Sequence, residues 1–127
     1  MTKFVLVFGS NEAGIHGAGA AKEAYQKHGA RWGFSYGHMG ESFAIPTKDL
    51  DIQTLPIERV QQYVQGFLAY AKGHPKLNFK VTRIGCGLAG FSDEDIAPLF
   101  VGGQANIYYD GAWKDLLTDD SKFWGTF

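Results

Sequence analysis

Apolar positions along the chain fall into short blocks separated by glycine clusters. Residues 3–8 hold an apolar run with two valines and two phenylalanines, bounded by Gly9. A run this short predicts a strand covered on both faces, as in a parallel sheet. The turn formers of residues 9–16 follow, and then good helix formers from about Gly17 to His28, with Gly29 as a C-terminal stop. Residues 30–41 alternate aromatics with glycines and predict either a strand-like excursion or an ordered loop. Ser42–Ile45 predicts a short strand stopped by Pro46, and Pro56 suits the first turn of a helix. Ile57, Val60, Val64, Phe67, Leu68 and Ala71 form one apolar stripe at helical period, which predicts a helix over 57–72. Gly73-His74-Pro75 ends it.

A further strand is predicted over 78–84, running into a second glycine cluster, Gly85–Phe91. Ser92, followed by Asp93, Glu94 and Asp95, predicts a capped helix start with an acidic first turn. Residues 105–109 read as the last strand. The aromatics Trp113, Phe123, Trp124 and Phe127 are expected to pack the tail onto the body. Strand, loop and helix alternate without linker or repeat, so residues 1–127 are expected to form one α/β domain.

Composition narrows the function classes. The chain has 127 residues, 45% of them hydrophobic, with 12 basic against 13 acidic residues. A formal net charge of −1 disfavours nucleic acid as the main partner. No run approaches bilayer length, and the N-terminus lacks a signal-peptide cleavage site, so cytoplasmic residence is the expectation. The single cysteine, Cys86, excludes an internal disulfide and a cysteine-based zinc cluster. No metal or cofactor is expected.

The chemistry is expected at the two glycine loops. Glycines let backbone N–H groups approach a ligand, and a following helix N-terminus adds unpaired donors and partial positive charge, which together favour phosphate. Two such loops at one sheet edge would hold a diphosphate between them. The P-loop pattern is absent, since no Gly-Lys-Ser/Thr occurs. The dinucleotide fingerprint fails as well, with Lys22 where its third glycine belongs.

The stretch Gly9-Ser10-Asn11, followed by Gly14-Ile15-His16-Gly17-Ala18-Gly19-Ala20-Ala21, resembles the first ligand loop of the macro-domain family. Arg83-Ile84-Gly85-Cys86-Gly87-Leu88 resembles its diphosphate-gripping second loop, most like the branch containing terminal ADP-ribose protein glycohydrolase. Phe43–Asp49 is similar to a segment of small bacterial and phage macro-like proteins. The resemblance implies a three-layer α/β/α fold with a mostly parallel sheet, and an ADP-ribose-like small-molecule nucleotide as partner. It places Asn11 at the distal ribose, residues 17–20 and 85–91 around the phosphates, and Phe91 against a ribose or ring. The glycohydrolase branch carries a catalytic aspartate where this chain has Ala89, and another branch carries one where it has Ala21. The adenine-reading aspartate of the family, on a strand upstream of the asparagine, has no counterpart in these residues.

Any chemistry must then come from other groups. His16 would donate to a phosphate or act as an acid, or else face solvent. Asn11 and Asp49, with water, complete the candidate catalytic set. Lys48 would reach a ribose or phosphate, or form an exposed charge pair with Asp49. Cys86 is either a thiol activated by a helix N-terminus or a small packing residue. Glu12 would orient a water beside Asn11, or serve only the turn. The ligand-binding set is Ser10, Asn11, Gly14, His16, Gly17, Ala18, Gly19, Ala20, Lys48, Gly85, Cys86, Gly87, Leu88, Ala89, Gly90 and Phe91. The function expected is binding, sequestration or sensing of ADP-ribose or a related NAD-derived nucleotide. The alternative is an ADP-ribosyl hydrolase or phosphoesterase.

Overall fold

The computed structural model describes residues 4–118 and 120–126. Six strands form one sheet in the order β2-β3-β1-β4-β5-β6. They span Phe4–Asn11 (β1), Gly37–Met39 (β2), Ser42–Lys48 (β3), Asn78–Val81 (β4), Ile107–Asp110 (β5) and Lys122–Gly125 (β6). Only β2 runs antiparallel, against β3. The helices are α1 (Gly19–Lys27), α2 (Ile57–Gly73) and a short α3 (Asp93–Ile96), which tightens into a 3-10 turn over Ala97–Phe100. No helix among the described residues is long and apolar enough to cross a membrane.

The pleat of β1 divides the core. Val5 and Val7 face one side, with Phe43, Ile45, Phe79, Val81 and Ile107 of the neighbouring strands. The stripe Val60, Val64, Phe67 and Ala71 of α2 covers them, together with Ile96, Phe100 and Trp113. Leu6 and Phe8 face the other side and meet Ala21 and Ala24 of α1, with Ala30, Met39 and Ala44. Alanine on the inner face of α1 lets that helix sit close to the sheet. Burial of this kind is the main favourable term in folding.

Several boundaries differ from the sequence expectation. β1 continues past Gly9 to Asn11 because β3 pairs with it as far as Asn11↔Lys48, through a register shift at Ser10/Asn11. Pro46 does not end β3. The antiparallel partner β2 reaches only Ala44, so the missing N–H of Pro46 breaks no bond to β2. α1 starts at Gly19 rather than Gly17, and β4 stops at Val81. Residues 107–110 are not the last strand, since β6 adds in parallel to β5. The Trp124 indole fastens that edge by donating to the Val81 carbonyl at 2.9 Å. The tail aromatics do pack: Trp113 is fully buried and Phe123 is partly so. Lys3 and Phe127 lie outside the described residues.

Phe67 is fully buried and meets the rings of Phe43, Phe79 and Phe100 at centroid distances of 5.0, 5.3 and 6.1 Å. Phe67→Ala should destabilise the fold by about 3–5 kcal/mol, read as a lower urea midpoint at constant m-value.

Candidate functional site

β1 sends its chain through α1 toward β2 and β3 on one side, while β4 sends its chain through α3 toward β5 on the other. Adjacent parallel strands with diverging connections open a crevice beyond their carboxyl ends. A cleft of about 470 Å³ lies there. Its floor is Gly9–Asn11 of β1, Thr47 and Lys48 of β3, Thr82–Gly85 after β4, and Asp110 of β5. One wall is Ile15 and residues 17–21, and the other is residues 86–89 with Ile52 at the side.

The two walls carry backbone donors. α1 begins after Ala18, which offers no side-chain cap, and its first turn holds no acidic residue. The first intrahelical bond is Lys22 N–H to Ala18 O, so among the described residues the amides of Gly19, Ala20 and Ala21 have no acceptor. On the facing wall the turn is closed by Cys86 N–H to Arg83 O, Gly90 N–H to Gly87 O and Phe91 N–H to Gly85 O. Among the described residues, the amides of Gly87, Leu88 and Ala89 have no acceptor. Gly85 and Gly90 flank the turn at φ +73° and +85°, a region open to glycine. The second loop does not borrow its donors from a helix, as the sequence suggested. Ser92 and Asp95 close a capping box on α3, whose first turn is acidic.

Most of the expected polar side chains are committed to holding these loops. Both amide atoms of Asn11 bond the backbone of Ile15, at 2.8 and 3.0 Å, within the cleft wall. The Ser10 hydroxyl donates to Ser35 O. His16 is 1% exposed and outside the cleft, which corrects the expectation of a loop histidine facing phosphate or solvent. Its Nε2–H serves Arg31 O at 2.8 Å and Phe34 O at 3.1 Å, so Nε2 carries the proton. Gly14 also stands outside the cleft. It packs against Gly33 so closely that a Cβ would lie 2.4 Å from the Gly33 carbonyl carbon. Asp49 is a turn brace, its Oδ1 accepting from Asp51 N–H at 2.8 Å and Gln53 N–H at 3.0 Å. Glu12 accepts from Tyr63 and Arg59 of α2. Gly90 does not line the cleft, and Phe91 packs beneath Gly85 against the core rather than against a ligand.

Lys48 does line the cleft, and it forms no ion pair with any described residue. The other lining cation, Arg83, is spent: its fork grips Asp93 at 2.8 and 2.6 Å, and the Trp113 indole donates to the same carboxylate at 2.7 Å. The Arg83 guanidinium and the Trp113 N–H hold the Asp93 carboxyl down at about 2. Burial, with the Asp93 charge nearby, pushes the Cys86 thiol up to about 12. That is the opposite of the activation a helix N-terminus would give, and Cys86 is a packing residue.

Thr47, Thr82, Arg83, Ile15, Ile52 and Asp110 belong to the cleft but not to the set expected from sequence. Thr82 and Arg83 fall inside the strand predicted over 78–84 and reach the cleft because β4 stops at Val81, while Asp110 ends β5. The buried carboxylate of Asp110 accepts from Ala112 N–H at 2.8 Å and Thr126 Oγ at 3.1 Å. No protein-family model, curated protein or solved structure matches the chain.

Two outcomes follow. Asp93 is held below its ordinary value of 3.8, so its ion pair stabilises the fold above that pH, and the contribution is lost as pH falls toward about 2. Urea melts from pH 5 to 2 should show this acid limb in the wild type and a flatter one in Asp93→Asn. Cys86 should react with iodoacetamide at pH 8 far more slowly than a free thiol.

Proposed function

We propose that the cleft binds ADP-ribose or a related NAD-derived nucleotide, sequestering or sensing it, within a three-layer α/β/α arrangement of macro-like type. The observation that carries this reading is the pair of amide walls: among the described residues, the N–H groups of residues 19–21 and of residues 87–89 have no acceptor, and both stretches line one cleft. A diphosphate between them would meet donors on both sides, together with the partial positive charge of a helix N-terminus. Lys48 adds a cation at the floor. The volume suits a nucleotide-sized ligand.

Binding is favoured over hydrolysis. Both amide atoms of Asn11, Nε2 of His16 and Oδ1 of Asp49 are spent on backbone groups of the chain itself, and neither His16 nor Asp49 lines the cleft. The positions of Ala21 and Ala89 border the cleft, and their methyl side chains serve neither as acid, base nor nucleophile.

Calorimetry with ADP-ribose tests the proposal. A Cβ on Gly87 meets open space, so Gly87→Val should keep its Tm while filling the space a phosphate needs, and binding should be lost. Lys48→Ala should weaken binding about tenfold, as expected for a charge-assisted bond. Full affinity in Gly87→Val would overturn the proposal. Release of ADP-ribose from a modified protein by the wild type would replace binding with hydrolysis.

A further inference from the structure

Ile52 is, among the described residues, the one non-glycine residue in the left-handed region, at φ +60°. A β-branched side chain is strained there, and glycine or asparagine is the usual occupant. The residue sits at the tip of a small excursion after β3, where Lys48 and Thr54 bridge antiparallel. Asp49 N–H donates to Gln53 O at 2.7 Å and Ile52 N–H to Asp49 O at 3.1 Å. The Asp49 carboxylate clamps the same turn through Asp51 and Gln53. Every one of these bonds is made by backbone or by Asp49, so the turn itself does not call for isoleucine. Its side chain lines the cleft and is still 37% exposed. Leu88 also lines the cleft and is 79% exposed. The Thr54 hydroxyl donates to Ala89 O at 2.8 Å, tying the Ile52 turn to the loop that carries Leu88.

We infer that Ile52 determines specificity: with Leu88 it forms an apolar jaw that closes on an uncharged group, a sugar or base, attached to the diphosphate. The amide walls stand over β1 and β4, whereas Ile52 follows β3 at the flank of the cleft. A group against Ile52 therefore lies beyond the phosphates. The site selects a diphosphate esterified at that end over one with a free terminal phosphate, whose charge an apolar jaw would desolvate without compensation. The inference rests on the nucleotide reading of the cleft and gives it a substrate class.

Ile52→Gly and Ile52→Asn both accept the left-handed backbone and remove the apolar side chain. Calorimetry with ADP-ribose, and displacement of ADP-ribose by inorganic pyrophosphate, would be measured on the wild type and both variants. ADP-ribose should bind about tenfold more weakly to the variants, while pyrophosphate affinity stays at or rises above the wild-type value. The Tm of the free variants should equal or exceed that of the wild type, because strain is released. Wild-type affinity for ADP-ribose in both variants overturns the inference alone. A proportionate loss for pyrophosphate, or a lower Tm in both variants, also overturns it, since Ile52 would then be propping the loops. Failure of the wild type to bind ADP-ribose defeats the nucleotide reading itself, a result distinct from equal binding by all three proteins.

Discussion

β1 is hydrogen-bonded in parallel to β3 on one side and to β4 on the other, and the remaining geometry follows from that double pairing. Parallel neighbours release their chains at the same edge, so the connections after β1, β3 and β4 must share one strip of surface. They share it closely: a Cβ on Gly9 would stand 3.3 Å from the Gly85 nitrogen. The first loop then leaves toward α1 and the second toward α3, on opposite faces of the sheet, and the space between them is the cleft. Six strands, with Val5, Val7, Leu6 and Phe8 buried on alternate faces of the central one, keep this edge rigid.

The cleft divides its labour between backbone and side chains in an uneven way. The unpaired groups on its walls are main-chain amides, while the polar side chains near it mostly serve as internal ties. Asn11 closes its own loop, His16 and Ser10 dock the 31–35 segment, and Asp49 shapes the Ile52 turn. Ties of this sort hold donors in place before any ligand arrives, which lowers the ordering cost of binding. Arg83 and Asp93 neutralise one another at the rim, leaving Lys48 as the cleft cation without a described acidic partner.

Much of the architecture was legible in the sequence. The α2 stripe stands where the spacing puts it, and the runs at β1, β3, β4 and β5 form strands in a mostly parallel sheet. What escaped was decided by tertiary pairing. β6 is four residues without alternation and exists because β5 offers an open edge, and Pro46 stays in β3 because β2 ends before it. At the site, glycine clusters located the walls, since backbone approach needs glycine. The direction of each polar side chain was not legible. His16 lies in the first loop by sequence, yet its ring turns inward against Phe8 at 5.5 Å. Ile52 gave no signal at all, because a left-handed φ on isoleucine runs against local preference and is enforced by the Asp49 clamp.

The two helices that follow the glycine loops begin differently. α3 brings its own cap, with Ser92 and Asp95 exchanging bonds with each other's backbone, and so is complete as folded. α1 begins after Ala18 with no side-chain cap, and its first residues line the cleft. An anion seated there would do for α1 what Ser92 does for α3, and the first turn would be finished by a molecule the chain does not encode. Helix stability and ligand occupancy are then linked by mass action. The firmness of α1, and of the alanine-lined core layer beneath it, would then report how much of that anion surrounds the protein.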